Sequence, residues 1–308
     1  MSLSLRLLGT SASRPTIERN VSSIAVHREG ETLLFDCGEG TQRQMMRWGV
    51  SFGLHDIFFT HFHADHMLGV IGLIRTMALQ GRTDPLRLWG PRGGAKVLRR
   101  AEALGFERST FPVEIIELDA DQRVPRAGYE IVAFPVEHRA SASIGYALVE
   151  QERKGRFNPE LARELGVPEG PMWGAIHRGE SVTLDDGRVI ESSTLVGPTR
   201  AGRSVVITGD TRPCAATIAA ARDADLLVHE ATFGDDEMER AKETGHSTAR
   251  EAGVVAREAG VRRLLLTHFS ARHTRDTAPL EAEARAEFSA VIVGRDGMEL
   301  DVPYRDQV

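Results

Sequence analysis

Three imidazoles and a carboxylate fall between His61 and His66, in the run Thr60-His61-Phe62-His63-Ala64-Asp65-His66. Ile57, Phe58 and Phe59 just before it form the short apolar run of a buried strand. Met67, Leu68, Val70, Ile71 and Ile74 just after it recur at helical spacing. The cluster is therefore expected on a loop between the C-terminal end of a strand and the start of a helix, where chemistry collects in α/β sheets. His61 and His63 are two positions apart, so an extended segment points both rings one way. Asp65 and His66 follow the turn into the helix and face a neighbouring point. One loop can thus serve two divalent ions. Imidazole and carboxylate donors with no thiolate nearby suit zinc or a similar ion.

The same arrangement recurs along the chain. Apolar strands are expected at 3–7, 21–27, 32–36, 86–89, 113–118, 129–136, 143–149, 205–207, 225–228 and 264–266, with a short strand pair closing the chain. Helices are expected over 38–48, 93–104, 159–165, 213–222, 249–259 and 278–288, the fifth capped by Ser247 or Thr248. His138, Asp210, Glu230 and His268 each stand directly after an apolar run, as His61 does. A shared rim where these strand ends converge explains all of them. Strands followed by helices in two halves imply an α/β fold of two sheets packed face to face with helices outside. Asp36, ahead of the helix expected at 38–48, reads equally as a brace for a metal ligand or as a cap for that helix.

Between Gln151 and about Arg203 this pattern breaks. Glycine and proline interrupt the segment, and only Pro159 to Leu165 reads as helix. A structureless insertion this long in a compact chain is usually functional. We therefore expect one domain over residues 1–308 with an inserted flexible arm at 151–190.

Composition narrows the function. A 41% hydrophobic content over 308 residues supports a large core, and no apolar run approaches the ~20 residues of a membrane span. Residues 1–10 alternate like a strand rather than a secretory leader. The two cysteines, Cys37 and Cys214, have no ligand spacing, and buried free thiols in a reducing cytoplasm are expected. A net charge of −6 counts against a generic nucleic-acid coat.

Seven residues could close a two-metal site: His61, His63 and His138 on one ion, Asp65, His66 and His268 on the other, and Asp210 between them. Such a pair activates water and clamps the oxygens of a phosphoryl displacement, so metal-assisted phosphodiester hydrolysis is the implied reaction class, with Asp65 orienting or deprotonating the water. His246 beside Glu230 could protonate a departing alkoxide. From spacing alone, a turn cap and a loop histidine explain those two residues equally well. A non-catalytic RNA-binding protein with structural zinc fits less well, because closed structural sites usually carry thiolates.

With these residues in view, the chain resembles the metallo-β-lactamase superfamily and, within it, the ribonuclease Z family. The superfamily's His-x-His-x-Asp-His motif is matched by His61 to His66, with His138, Asp210 and His268 as its later ligands. Residues 35–42, His229-Glu230-Ala231-Thr232 and Gly245-His246-Ser247-Thr248 resemble the narrower family. So does the 151–190 segment with Gly170-Pro171, which is similar to an arm that grips tRNA. The resemblance implies a four-layered αβ/βα sandwich, two zinc ions (or manganese) per subunit, and a cytoplasmic homodimer. It implies an endoribonuclease that removes the 3′ trailer of precursor tRNA, with Asp65, His246 and Glu230 catalytic. Arg272, Arg19, Gly170 and Pro171 would contact substrate. A hydrolase of small phosphodiesters or esters on the same fold is the alternative. The chain departs from the family's pattern at Ala64, at Ile17-Glu18-Arg19 where a lysine is absent, and at Ala271-Arg272-His273. Its arm is near charge balance, with five Lys/Arg against four acidic residues over 151–178.

Overall fold

The computed structural model describes residues 2–104, 109–139 and 142–305. It divides into two compact units, Met1–Val149 with Arg203–Val308, and Glu150–Gly202.

The larger unit is built on two seven-stranded sheets. The first contains β1 (Leu3–Gly9), β2 (Ser23–Arg28), β3 (Glu31–Phe35), β4 (Asp56–Phe58), β5 (Leu86–Pro91) and β6 (Val113–Leu118). β1 to β3 run antiparallel and β3 to β6 parallel. The second sheet contains β7 (Arg123–Arg126), β8 (Tyr129–Pro135) and β9 (Ile144–Glu150). Beyond the smaller unit, whose hairpin supplies β10 (Val182–Thr183) and β11 (Val189–Ile190), the second sheet continues with β12 (Ser204–Ile207), β13 (Leu226–Glu230), β14 (Leu264–Thr267) and β15 (Val291–Val293). β12 to β15 are parallel. The expected closing strand pair does not form. β15 extends the second sheet, whereas β16 (Glu299–Asp301) returns to pair with β1 in the first. Adjacent position in sequence suggested a hairpin, but each strand finds its open edge on a different sheet.

Period-2 alternation places the layers. Leu3, Leu5, Leu7, Phe35 and Phe58 face Ile131, Tyr146, Val205, Val228 and Leu265 in a core between the sheets. On the outer face of the first sheet, Leu34, Ile57 and Leu88 pack beneath α1 (Thr41–Trp48), α3 (Gly69–Leu79) and α4 (Gly94–Ala103). The one-turn helix α2 (Ala64–Met67) precedes α3. Beyond the second sheet, Val206, Leu227 and Leu266 pack with residues of α10 (Ala249–Ala259) and α11 (Ala278–Arg285), which follow the short helices α8 (Ala215–Ala220) and α9 (Met238–Thr244) in the chain. This is an αβ/βα sandwich. Helix α1 begins at Thr41, not residue 38, because Gly40 at φ 79° breaks the helical path.

The smaller unit is not structureless. It holds α5 (Pro159–Glu164), α6 (Pro171–Arg178) and α7 (Ser192–Leu195) beside the β10–β11 hairpin. Ala162, Val167, Ile176, Leu184, Ile190 and Leu195 form a core of its own. Trp173 donates from Nε1 to the Val167 carbonyl at 3.0 Å. α6 carries Pro171 and Gly174, and the remaining elements span only two to four residues, which is why only α5 is visible in the sequence. The unit also ends later than the expected boundary at 190.

Candidate metal centre

The parallel strands deliver the site. β4 leads through Phe59 and Thr60 to His61, β12 through Thr208 and Gly209 to Asp210, β13 ends on Glu230, and β14 is followed by His268. Gly209 sits at φ 63°, where a Cβ would stand 2.6 Å from that of Thr60, so only glycine lets the two ligand loops approach.

His61, His63, His138 and Asp210 bring one donor atom each within 4.8 Å of one another, and so do Asp65, His66 and His268. Asp210 joins the two groups. Its Oδ2 lies 3.6 Å from His61 Nε2 and 3.9 Å from His138 Nε2. Its Oδ1 lies 3.3 Å from His66 Nε2 and 3.2 Å from His268 Nε2. Asp65 Oδ2 is 3.4 Å from His268 Nε2, and His63 Nδ1 is 3.3 Å from His138 Nε2. Donors about 2.1 Å from a tetrahedral ion stand about 3.4 Å apart, so these spacings fit coordination. Two buried atoms support the same reading. His61 Nε2 and Asp210 Oδ1 have no hydrogen-bond partner, and buried polar atoms are rarely left so. The residues fit divalent metal.

Four of the seven candidate ligands, His61, His66, His138 and His268, are braced from behind. Asp36 resolves its two readings in favour of the brace. It caps no helix; its Oδ2 accepts from His66 Nδ1 at 2.8 Å and its Oδ1 from the Thr60 amide at 2.8 Å. Thr60 Oγ1 lies 3.1 Å from His61 Nδ1, and Thr232 Oγ1 2.9 Å from His268 Nδ1. His138 Nδ1 donates to the Gly245 carbonyl at 2.8 Å. Asp36 and His268 have left-handed backbones, φ 56° and 59°, a strain that clusters at functional sites. Burial disfavours a charged His66, but Asp210 and Asp36 outweigh it and raise its basicity well above the ordinary value. For Asp65, burial works upward, and the hydrogen bond from His268 and the charges of His66 and His268 bring the net shift well below the usual carboxylate range.

Beside the cluster, His246 Nδ1 lies 2.9 Å from Glu230 Oε1, which also accepts from the Thr211 amide at 2.8 Å. Burial lowers the His246 basicity, and the Glu230 carboxylate more than reverses this, raising it to about 9. His246 opens onto a cavity of about 340 Å³ that Arg14, Arg240, Arg272, Phe233 and Ser270 help to line. The sequence reading missed Arg14 and Arg240; neither stands directly after an apolar strand, the signal that marked the other site residues.

Of the expected substrate contacts, Arg272 is at this cavity, paired with Glu237. Arg19 is not exposed for such a role. It is 7% exposed, its Nη1 donates to Thr10 Oγ1 and the Gly294 carbonyl at 2.7 Å, and its guanidinium stacks on Phe269. It holds the 10–20 loop to the body. Gly170, at φ 116°, and Pro171 start helix α6. Both cysteines are buried and free. Among the described residues no helix is long and apolar enough to cross a membrane.

A sandwich with such a cluster on its strand-end loops defines a metallo-β-lactamase-type protein, and the beta-lactamase superfamily domain matches residues 31–192 and 191–269. Finer comparison separates families within that class. The chain is 65% identical to ribonuclease Z of Gemmatimonas aurantiaca, over 100% of this chain and 98% of that one. It is 55% identical to ribonuclease Z of Myxococcus xanthus, over 99% of each. The crystal structure of human tRNase Z, short form, superposes with a TM-score of 0.71 at 28% identity, covering 97% of this chain and 99% of that one. The chain belongs to the ribonuclease Z family.

Proposed function

We propose that the protein is a zinc-dependent endoribonuclease that removes the 3′ trailer from precursor tRNA and leaves a 3′-hydroxyl after the discriminator nucleotide. It acts in the cytoplasm as a homodimer, with manganese as the alternative metal, and residues 150–202 are the arm that grips tRNA. The observation that carries this reading is the Asp210 carboxylate, one oxygen toward each ligand group, beside a His246–Glu230 pair, in a chain of the ribonuclease Z family.

His61, His63, His138 and Asp210 would hold one ion, and Asp65, His66, His268 and Asp210 the second. Bound there, two divalent ions lower the pKa of water and neutralise charge on the phosphate. Asp65 orients the attacking water and receives its proton. Glu230 accepts the hydrogen bond from Nδ1–H of His246 and stays ionised, so the ring's Nε2 is the atom that hands a proton to the departing ribose 3′-oxygen. Arg272, Arg240 and Arg14 face the substrate's phosphates from the adjoining cavity.

The test is to incubate one precursor tRNA bearing a 3′ trailer with protein of defined metal content and map the new ends. A single cut after the discriminator, ending in a 3′-hydroxyl, is expected. Intact precursor, or products ending in a 3′-phosphate, overturns the reading. Turnover of small phosphodiesters without tRNA cleavage would assign the alternative, a small-ester hydrolase.

A further inference from the structure

The loop that carries His246 is fastened to two ligand loops at once. His138 donates from Nδ1 to the Gly245 carbonyl at 2.8 Å, and Ser247 Oγ donates to the Thr211 carbonyl at 2.6 Å. Gly245 lies at φ 76°, where a Cβ would come within 2.9 Å of the Arg139 nitrogen, so the loop presses directly on the segment after His138. Neither fastening reaches the His246 carbonyl. The His246 amide donates to the Ala241 carbonyl at 2.9 Å, and the His246 carbonyl is held by Arg212. Its Nη1 donates to the His246 carbonyl at 2.5 Å and to Glu251 Oε2 at 2.8 Å, and its Nη2 pairs with Glu251 Oε1.

Glu251 has a second task. It is the third residue of α10, and its Oε2 accepts from the Thr248 amide at 2.9 Å while Thr248 Oγ1 accepts from the Glu251 amide at 3.2 Å. This reciprocal capping box fixes where α10 starts, three residues after His246. Arg212 is fixed in turn from its other end. Its amide donates to the Glu137 carbonyl at 2.6 Å, and the Glu137 amide to Thr211 Oγ1 at 3.1 Å. Arg212 therefore joins Asp210 and His138, its near neighbours in the chain and across the bridge, to the peptide of His246. A guanidinium suits this place because its planar fork meets a carboxylate and a carbonyl together, which an ammonium cannot do in one fixed geometry.

We infer that Arg212, braced by Glu251, is a positioning residue that sets the His246 imidazole over the leaving oxygen and couples its place to the metal-ligand loops. This rests on His246 being the proton donor of the proposed reaction. Glu230 fixes the ring's tautomer, and Arg212 fixes the backbone from which the ring projects. The two act on different degrees of freedom, so neither replaces the other. A misplacement of about 1 Å at a reacting group costs up to about a hundredfold in rate.

The test compares two substrates with the full-length, metal-loaded protein. The leaving group of precursor tRNA is a ribose 3′-oxygen, which needs a proton; that of bis(4-nitrophenyl) phosphate is a nitrophenolate, which does not. Arg212→Met should lower kcat on precursor tRNA about tenfold to a hundredfold, with KM and turnover of the nitrophenyl ester within about threefold of wild type and metal content unchanged. Arg212→Lys should fall between the two, and Glu251→Gln, which keeps the capping box, should show a smaller loss in the same direction. Equal losses on both substrates in these variants, or unchanged kcat on precursor tRNA, overturn the inference. His246→Ala, run in parallel, separates the two readings. If it spares the nitrophenyl ester while Arg212→Met does not, the positioning role alone fails. If it loses both activities equally, His246 is not the proton donor and the inference falls with it.

Discussion

Asp36 shows how much one residue's backbone decides. An aspartate just ahead of a helix is as good a cap as it is a brace, and nothing in composition chooses between them. Its left-handed φ of 56° turns the carboxylate away from α1 and toward His66 and Thr60. Asp36→Asn keeps a residue that tolerates this backbone but removes the charge behind His66. Metal affinity should fall about 10- to 100-fold, read by competition with a chelator; an unchanged affinity would contradict the brace. The neighbouring Cys37 is a converse case, a potential ligand type that does no chemistry. Burial pushes its thiol up to about 12, against a hydrogen bond from Thr41 that works the other way. Folded protein at pH 8 should therefore leave Cys37 unalkylated by iodoacetamide, with labelling only after denaturant is added. Labelling at the rate of a free thiol would show that the α1 side of the first sheet opens readily. Arg19 belongs with these two. It was expected to touch substrate, and only its stacking on Phe269 and its hydrogen bond to the Gly294 carbonyl reveal a structural part.

Elements differ in how plainly the chain announces them. β4, β12, β13 and β14 are apolar runs that stop at a ligand-type side chain, so both their class and their role at the rim could be read from residue types. Their partners could not. Whether β15 and β16 pair together depends on open sheet edges, which are a property of the assembled fold. Nor is the brace at the far end of β4 visible beforehand. Asp56 is fully buried and accepts from Arg87 Nε at 2.8 Å, Trp89 Nε1 at 2.6 Å and Arg126 Nη2 at 2.7 Å. Arg126 comes from β7 of the second sheet, so this carboxylate ties the two sheets together. Asp56→Ala leaves a guanidinium that is only 14% exposed without its counter-charge. Stability should drop by about 3–5 kcal/mol, seen as a lower denaturation midpoint at constant m-value. A loss below about 1 kcal/mol would mean that solvent already satisfies the cations.

For the whole molecule, chemistry was more legible than shape. A metal site needs particular residue types placed after particular elements, and the candidates His61, His138, Asp210 and His268 met both conditions in one dimension before they met in three. The smaller unit had no such constraint. Its core of Ala162, Ile176 and Leu195 is gathered from elements too short to be periodic, so the sequence looked irregular where the chain is folded. The Arg212 network was equally hidden, because hydrogen bonds to carbonyls leave no trace in residue spacing. What unifies the body is the convergence of five strand ends on Asp210, whose two oxygens face different ligand groups. Anomalous scattering from crystals grown with zinc tests that arrangement most directly. The account expects two peaks flanking the Asp210 carboxylate, about 3.5–4 Å apart; a single peak, or peaks away from Asp210, would contradict it.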